Sequence, residues 1–499
     1  MHVLAIESGA LDTGDEAVDL GQSPADVVVL SAADTELALL ARAHAAFFEK
    51  AASSSSVAEL PTLRLANVLA LKHNFSVDLY IEKTLRHAKL IVVRLLGGRP
   101  YWSYGLEQIA LLAAETGAAL AILPGDDKAD PSLDGLSTVA DERAFHLWRC
   151  LSEGGAANAD RFLEGCAAIL SGDAVPMPPR PIPRADIYAT LKPATSSGGR
   201  AAIVFYRALL QSGDTGAIDA MGQALAERGL SVDIYAVQSL RDGAAVDLIE
   251  TRFAAAPPDI VINTTSFAAG ATTATRAASR ATTFGSDAIW LQAVLSSQSE
   301  TTWRASPAGL PMRDVAMHVS LPEFDGRVLT RAVAFKQDIG RDPRTEFPLT
   351  EMAAATDRIS YVADLAAAWV RLRKAHTKER RVAIVLANYP NRDGRIANGV
   401  GLATPESVTR AMETLRDAGY AVADVPNDGD ALIDELKRGP TNATHAQSAG
   451  VVTETLPLDT YEAWFATLPL TAQRELVARW GPPSEDPTVR AGAFALALR

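Results

Sequence analysis

Short apolar runs alternate with amphipathic stretches along most of this chain, and that alternation is its clearest structural signal. Val3–Ile6 and Val27–Leu30 read as strands, and Thr35–Lys50 has helical periodicity after the acidic start at Asp34. Four consecutive serines, Ser53–Ser56, mark an exposed connection. Leu63–Leu71 and Val77–Ala88 are predicted as helices. Leu90–Leu95 reads as a strand, Tyr104–Thr116 as a helix and Leu120–Leu123 as a strand, with helices dominating from Asp141 to Ser171.

After the proline-rich stretch Pro176–Pro183 a second series begins: strand Ala201–Phe205, helix Thr215–Arg228, strand Val232–Val237, helix Ala244–Ala255 and strand Ile260–Asn263. Residues 264–287 read as a long loop, followed by strands Ala288–Leu295 and Val328–Phe335. A third series has helix Ala354–Lys374, strand Val382–Leu386, helix Pro405–Ala418, strand Tyr420–Val425 and helix Asp430–Lys437. Its end is helical from Leu458, then broken by proline, and closes on a strand-like apolar run from Phe494. The expectation is an α/β protein of several doubly wound domains with mostly parallel sheets, plus helical segments. The expected domains are an N-terminal α/β head at 1–175, a linker at 176–199, a second α/β domain at 200–345 and a third at 346–499 that stops short of completion.

Composition narrows the function. Nearly half of the 499 residues are apolar, enough for sizeable cores. A formal net charge of −13 argues against general nucleic-acid binding, which needs a basic excess. Cys150 and Cys166 are the only cysteines, so a disulfide framework is not expected and a cytoplasmic location is. No membrane span or signal peptide is expected.

In doubly wound sheets ligands bind beyond the carboxyl ends of the strands. Five predicted strand ends carry polar or glycine-rich sequence: Gly97–Trp102, Pro124–Asp127, Tyr206–Asp214, Asn263–Ser266 and Asn388–Gly394. In the last, Asn391 and Arg392, with Arg395 and Asn398 beyond, suit an anionic or amide-bearing ligand, or form an ordinary loop of turn formers. Arg207 could pair with a substrate carboxylate, beside Tyr206, or cap its own helix. His318, Glu323 and Asp325 form the one compact imidazole–carboxylate group, on a strand and turn, with a surface turn of solvated acids as the plainer reading. Tyr101, Trp102 and Tyr104 suit a core as well as a stacking platform. No catalytic residue and no metal site is assigned. Neither a P-loop nor a complete dinucleotide fingerprint occurs, so ATP hydrolysis is not expected of this chain.

Several long segments carry a resemblance. PADVVVLSAADTELALLA, LRLANVLALKHNFSVDLYIEKTLRHAKLIVVRLLGGRPYW, AILPGDDKADPSL, AIVFYRALLQSGDTGAIDAM, RDVAMHVSLPEFDGRVLTRAVAFK and RRVAIVLANYPNRDGRIANGVGLATPESV together resemble the large subunits of ATP-dependent cobaltochelatases. The H-type large subunits of magnesium chelatases are similar at greater distance, so the family is the CobN/magnesium chelatase H family. The resemblance, to its N-terminal portion, implies a ligase component that binds hydrogenobyrinic acid a,c-diamide and takes Co²⁺ as substrate in cobalamin biosynthesis. AAA+ partner proteins would use ATP and Mg²⁺, and no cofactor would be held tightly by this chain. The alternatives are a non-catalytic tetrapyrrole-binding or ATPase-docking module, and a magnesium chelatase component acting on protoporphyrin. Family members carry a downstream G-T-H-G-x-x-E motif that does not occur here, so the isolated chain is expected not to insert cobalt. By this resemblance His318 and Glu323 are cavity-lining polar groups and Asn388, Asn391, Arg392 and Asn398 a substrate-side loop; with Tyr206 and Arg207, read from their place after a strand, these are the substrate-side candidates.

Overall fold

The computed structural model describes residues 17–52, 60–95, 97–126, 128–133, 135–195, 198–269, 284–387, 395–438, 452 and 454–496. The expected strand Val3–Ile6 lies outside them, as do Asn388, Asn391, Arg392 and most of the expected loop at 264–287. By contacts the chain divides into two units, Met1–Arg373 and Lys374–Arg499.

The first unit holds two sheets. One is all parallel, in the order β2-β1-β3-β4, built from β1 (Val27–Ser31), β2 (Leu63–Asn67), β3 (Leu90–Leu95) and β4 (Ala119–Pro124). Helices α1 (Asp34–Ala52), α2 (Asn74–Lys83), α3 (Ser103–Thr116), α4 (Asp141–Glu153) and α5 (Ala156–Ser171) cover it. Strand alternation sends Val27 and Val29 into one buried cluster with α1, α4 and α5, and Val28 and Leu30 into a second with α2 and α3. Both faces are therefore apolar, which is why these strands read as continuous hydrophobic runs. Leu63–Leu71, expected to be helical, is instead strand β2 followed by a single 3₁₀ turn. Its five-residue strand is too short for periodicity to separate strand from helix, and parallel pairing with β1 decides the matter.

The second sheet has seven strands in the order β11-β10-β9-β8-β6-β7-β5. They are β5 (Ala185–Leu191), β6 (Gly199–Tyr206), β7 (Leu230–Val237), β8 (Ile260–Asn263), β9 (Ile289–Ser296), β10 (Val328–Arg341) and β11 (Pro348–Ala354). Its middle is parallel, and both edge strands are antiparallel. Helix α6 (Arg207–Ser212) follows β6 directly; α7 (Gly216–Glu227) and Thr356–Lys374 pack on one face, and α8 (Gly243–Ala255) on the other. Strand β5 falls in the stretch expected as a linker, and β11 precedes the helix expected to open the third series. Both are edge strands with most side chains half-exposed, so neither carries a clean apolar pattern.

The second unit contains helices Thr404–Asp417, Gly429–Lys437, Leu458–Phe465 and Leu470–Trp480 and a small antiparallel sheet of Thr455–Pro457, Ala493–Ala495 and Val489–Arg490. The expected strands Val382–Leu386 and Tyr420–Val425 join no sheet among the described residues.

His44, on α1, is almost fully buried, and neither ring nitrogen makes a hydrogen bond. Burial holds its pKa below the ordinary value, with Arg344 and Arg64 acting the same way, and a poorly directed contact with the Pro61 carbonyl and the Asp342 charge against them. The unfolded imidazole takes up a proton below about pH 6.5, whereas the folded one resists it, so stability is lost as pH falls through that region. The slope is at most about 1.4 kcal/mol per pH unit for one histidine. Urea midpoints measured from pH 7.5 to 5.5 are expected to fall less steeply in His44→Leu than in the parent chain; equal slopes would refute the assignment.

Candidate functional site

The strand order of the seven-stranded sheet reverses at β6. The chain runs from β6 outward to β7 and then crosses back to β8 on the other side. The carboxyl ends of β6 and β8 thus border the crevice where doubly wound sheets take their ligands. Tyr206 closes β6, and its hydroxyl donates to the Ser266 carbonyl at 2.7 Å, tying the loop after β8 to the end of β6. Burial, ahead of the opposing hydrogen bonds from Ser266, pushes its pKa up.

Beneath that loop lies a closed set of polar groups. Asn263 Nδ2 donates to the Thr265 carbonyl at 2.9 Å and to Gln292 Oε1 at 2.7 Å, while Gln292 Nε2 donates to the same carbonyl at 3.0 Å. The Thr265 hydroxyl donates back to Asn263 Oδ1 at 2.9 Å. All three side chains are buried, so their amides fix one another and shape a rigid floor. Phe267 sits above it in the left-handed region, φ 66°, with its N–H donating to the Met317 carbonyl at 3.1 Å. A bulky residue held there marks backbone strain beside the crevice.

The Met317 contact brings in a helical run from Met312 to Glu323, whose middle, Val315–Ser320, is a π-turn. The expectation of His318 on an alternating strand is therefore corrected: it lies on a helix. Pro322 explains the widening, because it has no N–H for the carbonyl of His318, four residues back, and its ring crowds that group. Asp314 anchors the run to the end of β9, accepting from the Ser296 hydroxyl, the Ser297 N–H and the Ser297 hydroxyl, each at 2.8 Å. His318 is half-buried, and its buried Nδ1 makes no hydrogen bond. Desolvation holds its pKa down, Arg313 assisting and Asp314 opposing.

Arg327, just before β10, is the charged group of this region that sequence reading missed. Its side chain is 1% exposed, and Nη2 lies 3.0 Å from Oδ2 of Asp325, itself 2% exposed. The approach is off-axis, so none of the three guanidinium nitrogens completes a directed hydrogen bond. The guanidinium carbon stands 5.5 Å from the Trp290 ring centre. Burial lowers the Arg327 pKa, while Asp325 and Tyr206 support its charge. Asp325 also accepts the Ala269 N–H at 2.6 Å, which pins the loop after β8 at a further point.

The structure therefore brings together Tyr206, the 263–268 loop, the 312–323 helical run and Arg327. It does not bring in the rest. Arg207 turns away, its Nη1 donating to the carbonyls of Ile182 at 2.7 Å and Pro183 at 3.2 Å, which ties β6 to the proline-rich stretch. Glu323 and Asn398 are exposed, and Asn398 belongs to the other unit. The corresponding edge of the four-stranded sheet is filled differently. Buried Arg94 donates to the carbonyls of Pro124 at 3.1 Å and Gly125 at 2.9 Å and pairs with Glu36, which accepts from the Ser31 hydroxyl at 3.0 Å. Arg94 thus directs Nε and Nη2 to strand-end carbonyls, leaving only Nη1 beside Glu36 without a directed bond, whereas none of the Arg327 nitrogens makes one. Trp102 is core, donating to the Leu71 carbonyl at 2.9 Å. Among the described residues no cluster of three or more His, Cys, Asp or Glu could hold a metal, and no helix is long and apolar enough to cross a membrane.

Comparison with known proteins adds the chain's relationships. A family model described as CobN/Magnesium Chelatase matches residues 148–497. The aerobic cobaltochelatase subunit CobN of a Sinorhizobium species is 42% identical over 516 residues, covering 100% of this chain and 39% of that protein. The CobN of Pseudomonas aeruginosa is 38% identical over 508 residues, covering 100% and 40%. The magnesium-chelatase protein of the H type from Rhodobacter capsulatus is 29% identical over 203 residues, 39% of this chain and 16% of its own length. Among solved structures, the catalytic subunit of cobaltochelatase from Mycobacterium tuberculosis superposes with a TM-score of 0.71 at 27% identity, covering 94% of this chain and 37% of that one. The chain thus spans about two fifths of the CobN relatives it matches.

Proposed function

Because this chain belongs to the CobN/magnesium chelatase family, we propose that it forms part of the large, tetrapyrrole-binding subunit of an aerobic cobaltochelatase. In this reading the whole subunit inserts Co²⁺ into hydrogenobyrinic acid a,c-diamide during cobalamin biosynthesis, in the cytoplasm, while AAA+ partner proteins hydrolyse MgATP. The observation that carries the reading is the end-to-end similarity to two CobN proteins, against a partial match to the magnesium-chelatase protein of the H type. A magnesium chelatase acting on protoporphyrin, and a non-catalytic tetrapyrrole-binding or ATPase-docking module, are the rival readings.

Metallation of a macrocycle requires its ring to be held and bent, its inner N–H groups to lose protons and the metal to shed water. Cobalt is not the strongest binder of the first-row series, so selection falls to geometry and supply. The part assigned to this chain is holding. Hydrogenobyrinic acid a,c-diamide is rimmed by carboxylates and two amides. The donors of Arg327 suit such a carboxylate, and the Asn263–Thr265–Gln292 floor fixes the start of the loop after β8. The 264–268 loop and the 312–323 run are joined by the Phe267–Met317 hydrogen bond. Asn388, Asn391, Arg392 and Asn398 remain candidates for a second substrate-side loop, and His318 and Glu323 for polar groups of the cage.

An absorbance titration of the folded chain with hydrogenobyrinic acid a,c-diamide, run beside protoporphyrin, tests this. Saturable binding with a corrin Kd in the micromolar range or below, about −8 kcal/mol or better, and weaker porphyrin binding is expected. Preference for protoporphyrin would favour the magnesium branch, and binding of neither would leave the chain a scaffold.

A further inference from the structure

Three arginines meet at one edge of the seven-stranded sheet. Helix Glu300–Ala305 follows β9, and helix Thr356–Lys374 follows β11. Strand β11 pairs with β10 only from Ala334 onward. The residues just before are met instead by the start of Thr356–Lys374: the Ala355 N–H donates to the Val333 carbonyl at 2.9 Å, and Arg358 Nε to the Ala332 carbonyl at 2.5 Å. Arg358 is thereby fixed at the backbone of the residue next to Arg331. Its guanidinium carbon stands 4.5 Å from the Trp303 ring centre, which Arg304 also faces at 5.6 Å. Arg331 lies over the Tyr361 ring at 3.4 Å. Trp303 is itself packed on Phe335, ring centres 5.2 Å apart. Each guanidinium of the pair therefore has an aromatic face to rest on, which restricts its rotamers before any ligand arrives.

Carboxylates do not balance this charge. Glu300 is taken up by Arg304, accepting from Nε at 2.9 Å. Among the described residues neither Arg331 nor Arg358 pairs with a carboxylate. Burial, then repulsion from Arg331, holds the Arg358 pKa down; Asp357 opposes less than Arg331 acts, and Glu300 less than Arg304. Arg358 also stands in the first turn of its helix, where the macrodipole disfavours a cation. The contrast with Arg94 and Arg327 is plain. Those two are buried beside a counter-ion, whereas Arg331 and Arg358 are half-buried, open to solvent and without one.

We propose that Arg331 and Arg358, with Arg304 at the rim, form a binding site for a phosphoryl dianion, supplied as free phosphate or as a phosphate monoester. Two uncompensated guanidiniums match a group that carries about −1.5 to −2 charge at pH 7 and three acceptor oxygens, while a single carboxylate neutralises only one of them. The site shares no residue with Tyr206, the 263–268 loop or Arg327, and it does not rest on the corrin reading, so its test contains no tetrapyrrole.

The full chain is titrated calorimetrically at fixed ionic strength with inorganic phosphate, in a second arm with adenosine 5′-monophosphate, and with acetate as the carboxylate control. Saturable 1:1 binding of a phosphoryl ligand is expected, with a Kd of about 1 mM or below. Tighter binding of the nucleotide assigns a phosphate ester as the ligand form, and tighter binding of inorganic phosphate the free ion; both support the site. Arg331→Gln and Arg358→Gln are each expected to weaken binding at least about tenfold, the loss of one charge-assisted hydrogen-bonding partner. Arg331 makes no hydrogen bond among the described residues, so Arg331→Gln is expected to leave the melting temperature of the phosphate-free chain unchanged and to abolish its rise with phosphate. Absence of saturable phosphoryl binding overturns the proposal. So does acetate binding as tightly as phosphate, or a folded Arg331→Gln variant that binds phosphate as the parent does.

Discussion

Asp325→Ala is expected to destabilise the first unit by about 3–5 kcal/mol, because it leaves the buried Arg327 guanidinium without its counter-ion. The substitution also removes the acceptor for the Ala269 N–H, freeing the loop after β8 at one of its several ties. The Trp290 ring remains beside the cation, but a ring face offsets only a fraction of a lost charge partner. Asp325→Ala combined with Arg327→Met is expected to recover a large part of the loss, since it is the stranded charge that destabilises. Urea unfolding of the parent, the two single variants and the double variant gives the coupling directly. Additive effects would contradict a paired arrangement. In the corrin reading Arg327→Met also weakens binding of hydrogenobyrinic acid a,c-diamide severalfold or more, whatever its effect on stability.

Arg94→Met is expected to match or exceed that destabilisation while leaving corrin affinity unchanged. Arg94 is 3% exposed and pairs with Glu36 while holding the carbonyls of Pro124, the last residue of β4, and Gly125 after it. Desolvation brings its pKa down to about 10, with Asp126 opposing, so it stays protonated at neutral pH. Removing it strands the Glu36 carboxylate and two strand-end acceptors, about 3–5 kcal/mol by the usual penalty for breaking a buried pair. Glu36→Leu with Arg94→Met is expected to destabilise less than the sum of the singles. A change in corrin affinity on Arg94→Met in a still-folded chain would contradict the division between a scaffold sheet and a binding sheet.

That division is only partly legible in the amino-acid sequence. The central parallel strands stand out, Ile260–Asn263 to the residue, because burial on both faces demands unbroken apolar runs. The edge strands Ala185–Leu191 and Pro348–Ala354 do not, since partial cover on each face blurs alternation. Leu63–Asn67 reads as helix for want of length. In the second unit the strand signals at 382–386 and 420–425 are present in the sequence, but no described strand pairs with them. A segment's local preference reports what it can form, and pairing decides whether it does.

The candidate site shows the same limit. Tyr206 and Asn263–Ser266 can be found because polar residues directly after apolar strands stand out. Gln292 could have been found as the polar residue inside IWLQAVLS, a position where burial requires a partner. Arg327 could not, because nothing local distinguishes an arginine after a turn from a solvated one. Its burial is set by Trp290 and Asp325 arriving from other elements. Arg207 is the converse case: well placed in sequence beside Tyr206, it spends its donors on Ile182 and Pro183.

The most direct measurement is amide hydrogen exchange of the full chain with and without saturating hydrogenobyrinic acid a,c-diamide. Slowed exchange is expected in peptides covering 204–207, 263–268 and 312–327, at the carboxyl edge of the seven-stranded sheet, and none at the ends of β1 and β3. Saturable binding with protection confined to other segments would contradict it.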